Sequence, residues 1–148
     1  EDFHLLKFFI SNKIPKNWKL IALKNMSNKE ISKQMNASKI FLSFSNFEGL
    51  GLPPIEAAFA GNKIIGYTGE GGNDYFKQPL FEKVSKGNIL EFSKKIENNI
   101  KNFKKKWHSQ KKILKKRKDL ISKYSSFNEE KNIKNILNYI IFLYRRSI

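Results

Sequence analysis

Cysteine is absent from this chain of 148 residues, and histidine occurs at positions 4 and 108 alone. Without thiols the protein forms no disulfide and no thiolate metal site, and two distant histidines do not indicate an imidazole metal site. No apolar run of about 18 residues occurs, and no signal-peptide pattern opens the chain. We therefore expect one domain without a membrane-spanning helix, in a cytoplasmic location.

Acidic residues are scarce as well. The chain has 13 Asp and Glu against 29 Lys and Arg, which gives a formal net charge of +16. The excess is concentrated in ten basic residues that occur with no acid among them until Asp119: Lys101, Lys104, Lys105, Lys106, Lys111, Lys112, Lys115, Lys116, Arg117 and Lys118. Two interpretations stay open, a solvated helix face and peripheral contact with the inner face of an anionic membrane. We expect no nucleic acid partner.

The first half of the chain alternates between strand and helix patterns. Helices are predicted at residues 2–11, 28–35 and 54–60, and strands at 18–23, 39–45, 63–67 and 81–84. Ser27 and Glu30 form a capping box at the start of the second helix. Residues 69–80 read as a loop. The alternation predicts an α/β fold, with a parallel, doubly wound sheet flanked by helices.

From about residue 88 to residue 148 the pattern is helical. Asn88 is suited to cap a helix whose apolar stripe runs from Ile89 to Phe103. A basic helix follows. Ser126 and Glu129 then match a second capping box, which opens the last helix. We therefore expect the domain to end in a helical segment.

The most informative stretch is Phe-Glu-Gly-Leu-Gly-Leu-Pro-Pro-Ile-Glu, from residue 47 to residue 56. It follows a predicted buried strand and opens a helix, with Pro53 and Pro54 in the first turn. Glu48 is then at the carboxyl end of the strand, and Glu56 is expected in the first helical turn. In parallel α/β sheets this crevice, beside free helix amides, is where anionic ligands bind.

The parts of this hinge match two chemical groups of a ligand. Free amides next to the glycines can bind a phosphate, and a carboxylate can accept hydrogen bonds from both hydroxyls of a vicinal diol. Phosphate and diol together indicate a nucleotide sugar. The competing interpretation is structural, since the helix macrodipole favours an acid in the first turn whatever the function, and a Gly-x-Gly loop alone is a weak signal.

The hinge resembles the Glu-x7-Glu signature of retaining glycosyltransferases with two Rossmann-like domains, the GT-B fold, in their C-terminal, nucleotide-sugar-binding domain. The similarity extends to the strand and Gly-Gly loop at residues 62–72, to the preceding helix at 27–38, and to the terminal segment from Tyr124. It implies a Rossmann-like fold over residues 1–148 and a transferase of the glycosyltransferase group 1 or family 4 type.

The resemblance also implies roles for individual residues. Glu48 would act as the catalytic residue at the donor-sugar hydroxyls, and Glu56 would hold the ribose diol. The donor sugar and distal phosphate would lie against the amides of Gly49, Leu50, Gly51 and Leu52. A phosphate or acceptor loop is expected at Gly69, Gly71 and Gly72. No metal and no cofactor are expected. One departure stands out, because Tyr75 occupies a position where the family often has Glu.

The family resemblance bears on the organisation of the protein too. The N-terminal domain of a GT-B enzyme, which contributes most of the acceptor site, is absent from this sequence, so we expect a fragment or a split subunit. The expected acceptor is a glycan or a lipid-linked molecule, in cell-surface polysaccharide synthesis. The alternative function is a non-catalytic basic module that binds anionic membrane or nucleic acid through residues 101–118.

Overall fold

The computed structural model describes residues 2–11, 13–45, 49–103, 107 and 110–146, the last five by their backbone. The helices are α1 (Asp2–Ile10), α2 (Asn28–Ala37), α3 (Leu52–Phe59), α4 (Ile89–Lys101), α5 (Lys111–Tyr124) and α6 (Ser126–Arg146). The strands are β1 (Ile40–Ser45), β2 (Lys63–Thr68) and β3 (Phe81–Lys83), and a short 3₁₀ helix spans Gly71–Asp74.

The three strands form one parallel sheet in the order β1-β2-β3. Ile40 of β1 lies opposite Lys63 of β2, and this register continues to the pair of Ser45 and Thr68. β3 joins the other edge of β2, with Phe81 opposite Ile64. The expected α/β fold, a Rossmann-like parallel sheet flanked by helices and followed by a helical segment, is confirmed.

The central strand β2 is buried on both faces. Ile64 packs into one core with α3 and α5, and Ile65 and Tyr67 pack into a second core with α1 and α4. Successive side chains of a strand point to opposite faces of a sheet, so β2 contributes to both cores at once. The sheet therefore has helices on each side, as the alternating pattern predicted.

Two of the predicted helix starts are confirmed by their caps. The Ser27 side chain accepts a hydrogen bond from the Glu30 amide at 3.4 Å, and the Glu30 carboxylate accepts one from the Ser27 amide at 2.8 Å. Asn88 accepts a hydrogen bond from the amide of Glu91 at 3.0 Å.

The capping box predicted at Ser126 and Glu129 is wrong by one residue. The residue that caps α6 is Ser125, whose Oγ accepts a hydrogen bond from the Asn128 amide at 3.3 Å. Ser125 thus both ends α5 and precedes α6. The start predicted for α3 is also wrong, since this helix begins at Leu52, two residues before the predicted residue 54.

The strand predicted at residues 18–23 is wrong as well. In the structure this segment has no strand assignment, although Leu20 packs against one core and Leu23 against the other. The ring of Trp18 packs on Phe103, with a centroid distance of 5.6 Å, and Lys39 lies over it. The apolar side chains of this segment are thus packed on both sides of the sheet, although its backbone is not assigned to a strand. A cavity of about 1010 Å³ is lined by this segment and by β1.

Two side chains at the start of β2 connect this strand to its neighbours. The fully buried Asn62, just before β2, donates through Nδ2 to the carbonyl of Met35 at 2.8 Å and to that of Ala57 at 3.0 Å. Lys63 lies 3.5 Å from the Glu82 carboxylate and donates to the Pro79 carbonyl at 3.1 Å. Burial lowers the pKa of Lys63, and the charge of Glu82 partly offsets this effect.

Two buried tyrosines differ in how their hydroxyls are satisfied. The Tyr67 hydroxyl makes no hydrogen bond of standard geometry among the described residues, but the carboxylate of Asp2 lies near it, and burial together with this carboxylate raises the pKa of Tyr67 to about 12. The Tyr75 hydroxyl donates to the carbonyl of Gly51 at 2.9 Å. Both rings lie in apolar surroundings, with 2 % and 6 % of their surface exposed.

This difference gives a matched pair of Tyr→Phe substitutions. We expect Tyr67→Phe to change the free energy of unfolding by less than about 0.5 kcal/mol, because the hydroxyl that it removes is near Asp2 but makes no hydrogen bond of standard geometry. Tyr75→Phe should lower it by about 1 kcal/mol, because the Gly51 carbonyl loses its donor. Urea denaturation of both variants measures the two values. An equal loss in both variants would show that the Tyr67 hydroxyl is paired.

Candidate functional site

Two loops leave the sheet at the carboxyl ends of adjacent strands. The loop after β1 leads through Gly49, Leu50 and Gly51 into α3, and the loop after β2 begins at Gly69 and enters the 3₁₀ helix. Because Ser45 and Thr68 are paired neighbours in the sheet, both loops start at the same edge. The structure thus brings together the glycines that the sequence assigned to two separate parts of one site.

The first turn of α3 has few free amides. Gly51 precedes the helix in the left-handed conformation, with φ of 65°, and no side chain caps the helix. The first four amides at a helix start have no partner within the helix, but Pro53 and Pro54 have no N–H to offer. Among these four positions, the amides of Gly51 and Leu52 therefore remain. The side chains of Leu50 and Leu52 beside them are exposed.

The two loops are in direct contact. The backbone of Gly71 packs against the Gly49 carbonyl so closely that a Cβ at residue 71 would overlap it. Tyr75, four residues further on, donates a hydrogen bond back to the Gly51 carbonyl. These contacts hold the start of α3 against the loop after β2, so a ligand at the α3 amides would also lie next to that loop.

Tyr75 has a structural role in this chain. Its ring is buried against Phe76 and Phe81, and its hydroxyl fixes the loop before α3, whereas its neighbour Asp74 is exposed. A carboxylate at position 75 would be buried among these aromatic rings. The sequence marked this position as unusual but did not indicate that its side chain connects the two loops.

Glu56 lies two residues further from the start of α3 than expected, which places it in the second turn. The helix begins at Leu52 and has no acidic residue in its first turn, so the prediction that placed Glu56 there is wrong. The macrodipole acts mainly within the first turn, which weakens the purely structural explanation for this acid. Its side chain is exposed and has no side-chain partner among the described residues, whereas the neighbouring Ala57 and Ala58 are buried.

The remaining predicted site residues differ in how far the structure describes them. Glu48 lies outside the described residues. Gly69 adopts a left-handed conformation, with φ of 58°, and Gly72 is buried within the 3₁₀ helix. In the described part of the chain, no group of three or more His, Cys, Asp or Glu side chains is placed to hold a metal ion.

The basic run divides into two parts. Lys104, Lys105 and Lys106 lie outside the described residues. On α5, the lysines at positions 111, 112, 115, 116 and 118 are all exposed, while Ile113 on the opposite face is buried. No helix among the described residues is both long enough and apolar enough to cross a membrane.

Comparison with known proteins finds a partial similarity to a glycosyltransferase. The chain is 27% identical over 102 residues to an alpha-1,6-glucosyltransferase of Actinobacillus pleuropneumoniae serotype 7 (strain AP76). The alignment covers 64% of this chain and 30% of that protein, so the chain corresponds to less than a third of its relative's length. No protein-family model matches the chain, and no solved structure matches it.

The contact between the loops can be tested with two Gly→Ala variants. Gly71→Ala should lower the free energy of unfolding by about 1–3 kcal/mol, because its new methyl group meets the Gly49 carbonyl. Gly49→Ala is the matched control, since nothing lies within 4 Å of a Cβ built there. Urea denaturation compares the two variants. Equal stability of both would contradict the packing of Gly71 on Gly49.

Proposed function

We propose that this chain is the donor-binding domain of a retaining glycosyltransferase that transfers a hexosyl group from a nucleotide sugar. The observation that carries the proposal is the position of the Gly49-to-Glu56 segment. It joins the carboxyl end of a parallel strand to a helix start without a side-chain cap, and the glycine loop of the next strand packs against it. The similarity to an alpha-1,6-glucosyltransferase supports the same chemistry.

In this proposal the distal phosphate and the sugar bind at the amides of Gly49, Leu50, Gly51 and Leu52. Negative charge is favoured there by the free amides and by the positive end of the α3 dipole. Since Pro53 and Pro54 contribute no donors, the phosphate is directed towards the glycine side of the helix start. These groups stabilise the departing diphosphate without a metal ion, as an oxyanion hole does.

The two carboxylates have separate tasks in the proposal. Glu56 projects from α3 into solvent about one turn beyond the amides, where it can accept hydrogen bonds from both ribose hydroxyls. Glu48, at the other end of the glycine loop, acts on the hydroxyls of the donor sugar. Gly69, Gly71 and Gly72 border the site on the side where phosphate or acceptor would lie.

The acceptor in this proposal is a glycan or a lipid-linked molecule, in the synthesis of a cell-surface polysaccharide. A Rossmann-like N-terminal domain would supply most of the acceptor site. The chain by itself would then bind a donor without transferring its sugar, which separates donor binding from transfer as two measurable properties.

Donor binding is tested by titration calorimetry of the chain with UDP-glucose and with GDP-mannose. Glu56→Gln should lower the affinity for whichever nucleotide sugar binds by roughly tenfold or more, because a charge-assisted hydrogen bond to the ribose is lost. Glu130→Gln makes the same replacement of a carboxylate by an amide at an exposed position on α6, and it should leave the affinity unchanged. Equal affinities in both variants would reject the role of Glu56.

The role of Glu48 needs an assay of transfer, with the chain joined to the domain that binds the acceptor. Glu48→Ala should slow sugar transfer by about 100-fold or more while changing donor affinity little, because its contacts strengthen in the transition state. Single-turnover rates and donor titration separate the two effects. Unchanged turnover in both Glu48→Ala and Glu56→Ala would refute the proposed function.

A further inference from the structure

The edge of β1 that faces away from β2 is open. The Lys63 amide donates to the carbonyl of Lys39 at 2.9 Å, which fixes the edge to which each residue of β1 points. Backbone groups of successive residues in a strand point to alternate edges, so those of Ile40, Leu42 and Phe44 point away from β2. Within the described part of the chain, these groups have no backbone hydrogen-bond partner.

The sequence of β1 is nevertheless that of a strand inside a sheet. Ile-Phe-Leu-Ser-Phe-Ser has no charged residue and no proline, whereas exposed edge strands are usually protected by such residues. A near-continuous apolar run is typical of strands in the middle of parallel sheets. The central strand β2 is buried at five of its six residues, but β1 is fully buried at Ser43 alone. β1 thus has the composition of an inner strand and the exposure of an outer one.

A cavity separates this open edge from the segment at residues 18–23. Its volume is about 1010 Å³, and both the segment and β1 line it. The apolar side chains in its walls include Leu20 on the segment and Phe44 on β1. Asp2 and Phe3 also line it, so the start of α1 lies at the same cavity.

The handedness of the chain indicates what fills this space. α2 and α3 pack into the core that contains Ile64, and α1 packs into the core on the opposite face of the sheet. Connections between parallel strands are right-handed in about 98 % of cases, so helices on opposite faces lead to neighbouring strands on opposite sides. Since α3 leads from β1 towards β2, a strand that leads through α1 to residues 18–23 must lie on the β1 side of that segment. The cavity is at this position.

We propose that the cavity holds a further parallel strand, formed by the polypeptide segment immediately before Glu1 in the full-length protein. The strand pairs with the open edge of β1 and gives residues 18–23 a ladder partner. Backbone hydrogen bonds hold such an added strand, and its alternate side chains enter the two cores. A second copy of the chain does not fit, because residues 18–23 close the far side of the cavity and leave room for one strand.

This inference goes beyond the proposed function and does not depend on it, since it rests on the sheet alone. It extends the Rossmann-like domain beyond the residues 1–148 expected from the sequence. It also gives a physical reason for the missing ladder at residues 18–23, whose neighbour in the sheet is the added strand.

The test compares amide hydrogen exchange, resolved by NMR, in two proteins. One is the 148-residue chain, and the other is the same chain extended by about 25 residues of its natural upstream sequence, enough for a strand and its connections. The amides of residues 40, 42 and 44 face the cavity, and those of residues 41 and 43 face β2 and serve as the internal control. Extension should slow exchange at the three cavity-facing amides by at least about 100-fold, to within about tenfold of the control amides, because they enter a ladder.

Three outcomes would overturn the proposal. The first is slow exchange of residues 40, 42 and 44 in the 148-residue chain itself, which would show that residues 18–23 or a second copy pairs directly with β1. The second is fast exchange of these amides in the extended chain while residues 41 and 43 stay protected. This measurement needs only the extended chain, so it applies even if the shorter chain does not fold. The third is an upstream sequence without a run of about four to eight mainly apolar residues.

Discussion

The fold depends on the burial of β2 on both faces. Its neighbouring residues Ile64 and Ile65 enter different cores, one with α3 and α5 and the other with α1 and α4. Both flanking strands take their register from β2, so the loops that follow β1 and β2 begin side by side. The proposed site is therefore a consequence of the sheet. Any change that displaced β2 would separate the two loops and disturb both cores together.

Local signals in the sequence predicted most of the fold. The caps at Ser27 and Asn88 and the alternation of strand and helix patterns depend on neighbouring residues, and the structure confirms them. The segment at residues 18–23 fails for a physical reason. Leu20 and Leu23 do pack on opposite sides of the sheet, as in a strand, but apolar periodicity reports burial and not hydrogen bonding. The shift of the last cap from Ser126 to Ser125 reflects two adjacent serines that satisfy the same pattern.

The candidate site was only partly predictable. The glycine loops and α3 could be placed from the order of elements, because parallel strands end at one edge of a sheet. The link from Tyr75 to Gly51 joins residues far apart in sequence, and the contact of Gly71 with Gly49 depends on a backbone approach that no side-chain pattern records. Glu56 was predicted in the first helical turn but lies in the second, because Pro53 and Pro54 mark a first helical turn without fixing which residue begins it.

The buried amide of Asn62 has a mechanical consequence. It ties the end of α2 and the end of α3 to the start of β2, and Lys63 adds a link to β3 at the same end of the sheet. At the opposite end, backbone contacts between glycines and one tyrosine hydroxyl hold the loops. The two ends of the sheet are thus held by different kinds of contact. Loss of the Asn62 amide would disturb the helices and strands that frame the sheet, whereas loss of the Tyr75 hydroxyl would act on the loops at the opposite end.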